Sequence, residues 1–346
     1  MQVFVYEFFT GGGGSEFPQS VGAASLLTEA AAMVRAVTED LVALPLVRVV
    51  TTRNGRLPAF HPVGCRVVEL GHGRSDMDII ARLSTESDWT LLIAPETAGA
   101  LLMRAQLVER RGGRLLSPGS DFIQIAADKH VTVEVLHRAG VPVPKGAVWS
   151  KGEPPSSVSF PAVIKPTDGC GSQDLRRVNS AEQLLDVGAG HWRLEEYVAG
   201  TPASVSVLCG PNRNWPLAAC EQRLSDDGHF SYLGGRVPLA PEFDHRARRL
   251  ALQAIEALPP TIGYVGVDLV LSDATDGSGD YVIEVNPRLT TSYVGLRAAS
   301  RSNLAAAMLA AARGDEPVLS FRPEPVEFTS AGEILGSRDQ IGSQLI

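Results

Sequence analysis

Two apolar runs in the last third of the chain, Tyr264-Val265-Gly266-Val267-Asp268-Leu269-Val270-Leu271 and Asp280-Tyr281-Val282-Ile283-Glu284-Val285-Asn286, are separated only by the turn-rich stretch Ser272 to Gly279. Such a pair reads as an antiparallel hairpin. Side chains alternate faces along each strand, so Val265, Val267, Leu269 and Leu271 are expected on the core face with Tyr281, Ile283 and Val285. Asp268, Glu284 and Asn286 then share the opposite face, with Asp268 across from Glu284 at about 5 Å. Two carboxylates so placed repel unless one is protonated or a cation bridges them. With Asn286 as a third oxygen donor, a hard divalent ion is the expected bridge, Mg²⁺ first. Pro287 ends the strand and Arg288 adds a fixed positive charge. The plainer alternative is a solvated strand face whose acids are merely neighbours.

Mg²⁺ held by one or two carboxylates commonly also holds substrate phosphates, so cations and a purine slot are the next features to find. Lys129 follows a helix-capping Asp128. Lys165 ends the apolar run Ala162-Val163-Ile164-Lys165, ahead of Pro166 and the small loop Thr167-Asp168-Gly169-Cys170-Gly171-Ser172. A loop of that composition can close over phosphates and offer backbone N–H donors. Leu194-Glu195-Glu196-Tyr197-Val198 places two acids in a strand-like stretch able to hydrogen-bond a purine edge; an exposed edge strand reads equally well.

The first third alternates strand-like segments (Val3–Phe9, Leu46–Thr52, Val67–Leu70, Thr90–Ala94) with helical ones (Ala23–Thr38, Ala98–Arg111). That order predicts a parallel sheet covered by helices, with ligands beyond the carboxyl ends of its strands. The glycine run Gly11 to Gly14 follows the first strand, but Ser15-Glu16 replaces the Lys-Ser/Thr of a phosphate-binding P-loop. A dinucleotide reading of those glycines would predict nicotinamide binding, and it leaves the Asp268–Glu284–Asn286 group unexplained. Further on, a helix is expected from Asp128 to Gly140, another over His245–Leu258, and a third over Asn303–Arg313. The proline-bearing tail from Asp315 is expected to wrap the outside.

A net charge of −8 disfavours nucleic acid as a partner, and no apolar run reaches membrane-spanning length. Cys65, Cys170, Cys209 and Cys220 are scattered, without metal-ligand or disulfide spacing, and no basic-then-apolar leader opens the chain. A cytoplasmic setting is the expectation.

In order and spacing, Asp128-Lys129, Val163-Ile164-Lys165-Pro166 with its glycine loop, Glu195-Glu196-Tyr197-Val198, Asp268 and Glu284-Val285-Asn286-Pro287-Arg288 resemble the ATP-grasp superfamily. The resemblance implies an α/β ATP-grasp fold behind a Rossmann-like N-terminal pre-ATP-grasp domain. The expected divisions are 1–117, central subdomain 118–196 with the glycine lid, C-terminal subdomain 197–320 with the hairpin, and tail 321–346. It further implies ATP and two Mg²⁺ ions (Mn²⁺ able to substitute), with Asp268, Glu284 and Asn286 as metal ligands. Lys129, Lys165, Ser172, Glu195, Glu196, Tyr197 and Val198 are expected on the nucleotide, with Lys165 and Arg288 stabilising the transferring group. The Glu that holds the ribose in many members has no counterpart in Gly200-Thr201-Pro202-Ala203-Ser204.

The implied chemistry is ADP-forming ligation of a small carboxylate to an amine through an acyl phosphate, with a homodimer as the candidate assembly. On the substrate side the expected residues are Glu7, Gly11, Gly12, Gly13, Glu96, Thr97 and Arg236. Glu7 and Glu96 are candidates for a substrate ammonium, or alternatively for turn-capping roles, and Arg236 for a substrate carboxylate. The short motifs Tyr6-Glu7-Phe8, Ala94-Pro95-Glu96-Thr97 and Pro202-Ala203-Ser204-Val205-Ser206-Val207 are most similar to the tyramine–glutamate ligases of methanofuran biosynthesis.

Overall fold

The computed structural model describes residues 1–13, 23–71, 75–153, 158–169 and 174–335. Gly14 of the glycine run and Cys170, Gly171 and Ser172 of the expected lid lie outside the described residues.

The N-terminal part alternates as the sequence predicts: β1 (Gln2–Glu7), α1 (Ala23–Val42), β2 (Arg48–Asn54), β3 (Cys65–Leu70), α2 (Asp76–Thr85), β4 (Trp89–Ile93) and α3 (Ala100–Arg110). Its four strands are parallel in the order β3-β2-β1-β4. Along β1, Val3 and Val5 face Val34, Val37 and Leu41 of α1, while Phe4 and Tyr6 face Ile80, Leu83 and Leu101. A sheet covered on both faces leaves only its strand ends for ligands. The carboxyl ends of β1 and β4 carry Glu7 and Glu96.

Two helices follow, α4 (Ser120–Ala126) and α5 (Lys129–Arg138). Asp128 caps α5, accepting from the N–H groups of His130 at 2.8 Å and Val131 at 3.0 Å. The central sheet is antiparallel, built from β5 (Gly146–Trp149), β6 (Ala162–Pro166), β7 (Arg176–Val178) and β8 (Trp192–Glu196) in the order β5-β8-β6-β7. On β8, Trp192 and Leu194 enter its core and Arg193 and Glu195 take the opposite face.

The third sheet holds β9 (Thr201–Cys209), β10 (Asn214–Pro216), β11 (Cys220–Leu224), β12 (Tyr232–Val237), β13 (Gly263–Leu271), β14 (Tyr281–Asn286), β15 (Val326–Thr329) and β16 (Ile334–Leu335). Helix α6 (Pro241–Glu256) covers one face, packing Ala247, Leu250, Ala251 and Ala254 on Val205, Val207, Val265 and Val267. Helices α7 (Ser292–Ala299) and α8 (Leu304–Arg313) join the core shared with α1 and the N-terminal sheet.

Two departures from the sequence reading matter. The tail does not simply wrap the outside: Val326–Thr329 pairs with β12, and Phe328 is fully buried against Gly235 and Gly295. On the hairpin, Asp268 pairs with Glu284 as expected, but Leu269 pairs with Val282. Ile283 is therefore the extra residue of a β-bulge. Val282 takes the core position expected of Ile283, and Ile283 turns into the cleft beside Glu284.

Candidate active site

The central and C-terminal sheets enclose a cleft whose far end is closed by α1 and the β1 and β4 rim. Its floor is β13 and β14; its hinge is the β8–β9 connection.

At the hinge end the walls are mostly apolar. Pro144, Val163, Leu175, Val198, Phe230 and Leu269 line a slot together with the Glu196–Val198 backbone. Tyr197 stacks on Phe230 with ring centroids 6.1 Å apart, and Arg177 lies 4.3 Å over the Tyr197 ring. A flat aromatic base fits such a slot.

The middle of the cleft carries the charges. Lys165 is 1% exposed, and its Nζ reaches Glu195 Oε1 at 2.5 Å and donates to Ile283 O at 3.3 Å. Glu195 Oε2 accepts from Arg193 Nε at 2.8 Å, and Arg193 is fully buried. One carboxylate thus serves two buried cations, leaving the group net positive, as a site for phosphate requires. This corrects the role expected of Glu195: its carboxylate is held inside by Lys165 and Arg193 and is not presented to a purine. Lys129 donates to Gly169 O at 2.7 Å and pairs with Glu284 Oε1 at 3.1 Å, tying the glycine loop to the hairpin.

Asp268 and Glu284 face each other across the hairpin, and Asp268 accepts from Gln222 Nε2 and Asn286 Nδ2, both at 2.9 Å. Burial first, and then the charge of Glu284, push the Asp268 carboxyl up to about 7. Among the described residues no three His, Cys, Asp or Glu side chains gather as a metal cluster, so the donor set here is two carboxylates completed by the Asn286 amide. An all-oxygen set with two carboxylates in mutual repulsion suits Mg²⁺, which relieves that repulsion and takes its other ligands from water and phosphate.

Arg288 stands next to this group, its Nε donating to Glu96 Oε1 at 2.9 Å. Glu96, 5% exposed, is thus a partner of Arg288. Glu7 lines the cleft but is already bound, accepting from Thr10 N at 2.7 Å, Thr10 Oγ1 at 2.6 Å and Phe9 N at 3.1 Å. The turn-capping alternative therefore describes it.

The other five expected substrate contacts lie elsewhere. Gly11, Gly12 and Gly13 close onto the protein itself: a Cβ on Gly11 would sit 2.3 Å from Glu7 O, and one on Gly13 2.5 Å from the Phe8 ring. Gly11→Ala is expected to lower the melting temperature by about 3 °C through overpacking without changing any substrate KM; a thermal melt and a saturation curve check both. Thr97 is half-buried where the N-terminal rim meets the glycine loop, with Ala98 N donating to Asp168 Oδ2 at 3.3 Å. Arg236 lines a separate outer groove with Glu221 and Phe243. Tyr232 and Arg236 would share a face on a regular strand. The register shift that pairs Leu224 with Tyr232 but Arg223 with Gly234 leaves Leu233 as an extra residue, so only Tyr232 reaches the cleft.

Family models for the pre ATP-grasp 3 domain and the ATP-grasp domain match residues 47–123 and 126–292. The chain belongs to the ATP-grasp superfamily. Tyramine–L-glutamate ligase of Methanocaldococcus fervens is 29% identical over 269 residues, covering 76% of this chain and 79% of that protein. The enzyme of that name from Methanocaldococcus jannaschii is 28% identical over 246 residues, covering 71% and 69%. The crystal structure of an ATP-grasp superfamily protein from Archaeoglobus fulgidus superposes with a TM-score of 0.71 at 26% identity, covering 94% of this chain and 92% of its own. The ligases among its relatives, D-alanine–D-alanine ligase included, support an ADP-forming carbon–nitrogen ligase. Among the described residues no helix is long and apolar enough to cross a membrane.

Several residues of the cleft, and the fully buried Arg193 behind it, escaped the sequence reading. Gln222 and Tyr232 come from strands whose facing depends on the register shift. Arg193 was hidden as one charge in a run of charges. Glu29, on α1, carried a signal that could have been read: an acid at helical spacing among Leu26, Ala30 and Met33.

Proposed function

We propose that the chain activates the γ-carboxylate of glutamate with ATP and joins it to tyramine or a closely similar amine. In the first step a carboxylate oxygen attacks the γ-phosphorus, the bond to the bridging oxygen breaks, and ADP leaves with the electron pair. In the second, the nitrogen of the amine in its neutral form makes the C–N bond, the C–O bond to phosphate breaks with its electron pair on the phosphate, and inorganic phosphate departs carrying the proton the nitrogen gives up. The observation that carries this reading is the convergence of Lys165, Asp268, Glu284 and Arg288 on one cleft with an apolar slot at its hinge end.

Each group has a task that follows from charge. Triphosphate and carboxylate repel, so Lys165 and Arg288 offset negative charge where the phosphoryl group passes between them. Lys165 is held in place by Glu195 and the Ile283 carbonyl, so it loses little freedom when phosphate arrives. Mg²⁺, which Asp268, Glu284 and Asn286 would hold, supplies Lewis-acid polarisation of phosphate oxygens. The Glu196–Val198 backbone and its apolar surround receive the base.

The test is incubation of the protein with ATP, Mg²⁺, glutamate and a panel of amines, reading ADP release and product mass. Amine-dependent ADP and a mass equal to glutamate plus amine minus water are expected, fastest with tyramine. A tyramine rate no higher than that of other amines removes the tyramine assignment, and ADP release indifferent to every amine removes the ligation scheme.

A further inference from the structure

Helix α1 turns a single stripe into the cleft, Leu26, Glu29, Ala30 and Met33, at the i, i+3, i+4, i+7 spacing of one helix face. Three of these are apolar, and the fourth is an acid. Glu29 Oε1 accepts from Ser25 Oγ at 3.2 Å and Oε2 from Thr291 Oγ1 at 3.3 Å, both uncharged donors at the long end of hydrogen-bond geometry. The other deep carboxylates of the cleft have stronger partners, although Glu96 keeps one buried oxygen, Oε2, without a hydrogen-bond partner among the described residues. Glu96, Glu195 and Glu284 each pair with a cation, Asp268 is held by two amides, and Glu7 by backbone and a hydroxyl. Among the described residues Glu29 has no cationic nitrogen at ion-pair distance. Arg288, whose charge reaches it, is engaged by Glu96.

A negative charge placed here opposes the triphosphate and the carboxylate that the same cleft must receive. Burial also works against it, pushing the Glu29 carboxyl up from its ordinary range. Such a group favours a cation over an anion as its guest. The apolar neighbours on α1, with Phe9 from the rim, define the rest of that guest.

We infer that Glu29 seats the ammonium of the amine substrate while Leu26, Ala30, Met33 and Phe9 receive its hydrophobic body. The inference rests on the ligase reading above and narrows its acceptor to a primary amine on an apolar carbon frame. A zwitterionic acceptor, an amino acid or peptide, would bring a carboxylate toward the like charge of Glu29.

The experiment is steady-state ADP release by the full chain with ATP, Mg²⁺ and glutamate at saturation and tyramine varied. Glu29→Gln keeps the shape and removes the charge; its tyramine KM is expected to rise about thirtyfold, the worth of one hydrogen-bonded charge, while the ATP KM stays within about twofold. Glu29→Asp, which keeps the charge, should fall between the two. As a check independent of turnover, tyramine should raise the melting temperature of the wild type and not that of Glu29→Gln. An unchanged tyramine KM in a variant that still releases ADP overturns the inference, and so does a rise confined to the glutamate KM. If the wild type itself releases no ADP with any acid–amine pair, the ligase reading fails, and this inference with it.

Discussion

Glu284→Gln is expected to lower kcat by about 10³-fold while leaving the metal-free fold intact. The side chain faces Asp268 across the hairpin and is only partly buried, so its replacement opens no cavity. What it removes is half of the carboxylate pair that would hold Mg²⁺, and a Lewis acid at a transferring phosphoryl group is worth several kcal/mol, about a thousandfold in rate. Two measurements separate this from a folding defect. MgATP should raise the melting temperature of the wild type and fail to raise that of the variant. In EDTA the pH dependence should also change, and its sign follows from Asp268. A carboxyl raised to about 7 in the fold binds its proton more tightly there than in the unfolded chain. Its contribution to stability is full below the unfolded value and is lost as pH rises through about 7. The metal-free wild type should therefore melt progressively lower between pH 5 and pH 8. Removing Glu284's charge, the second cause of the shift, should flatten that decline. Near-normal turnover, or a MgATP shift equal to that of the wild type, would dismiss the metal assignment.

The parts of this molecule legible in its sequence are those where local pattern and global fold agree. The hairpin could be read because a pure turn segment separates two apolar runs, which fixes the Asp268–Glu284 pairing. The helix after Asp128 could be read because an acid at the cap satisfies the first free N–H groups. The bulge at Ile283 could not, since Tyr281-Val282-Ile283 is apolar at every position and alternation says nothing about which residue faces in. Arg236 was misplaced for a related reason: one extra residue on β12 reverses the face of everything beyond it. The glycine run invited a ligand reading because glycine signals close approach, but sequence does not say to what. Here the neighbours are Glu7, Phe8 and Leu70 of the same chain. Glu29 was overlooked because α1 is scanned as a covering helix, and only its tertiary position shows that its stripe ends in the cleft.

The second large effect concerns the buried charges beneath the phosphate position, where two substitutions should separate fold from function. Glu195→Gln removes the anion between Lys165 and Arg193, whose side chains are 2% and 0% exposed. Two buried cations then lose their shared counter-charge, with the Ile283 and Pro144 carbonyls and His130 left as their polar neighbours. Breaking a buried pair in this way costs about 3–5 kcal/mol, which for a chain of this size lowers the melting temperature by about 5 °C. Lys165→Met acts in the opposite sense. Glu195 keeps its bond to Arg193, a thioether fills the stem's volume, and the melting temperature should move little. The group now loses its net positive charge and the donor nearest the floor of the cleft, so kcat/KM for ATP should fall by about 10²–10³-fold, the usual cost of one preorganised donor at developing charge. MgATP provides the cross-check. Phosphate oxygens can stand in for the missing anion, so the nucleotide should recover part of the stability lost in Glu195→Gln and give Lys165→Met a smaller thermal shift than the wild type. If Glu195→Gln melts like the wild type while Lys165→Met keeps its rate, the cluster neither holds the central sheet to the hairpin nor receives phosphate. The nucleotide would then have to lie elsewhere in the cleft.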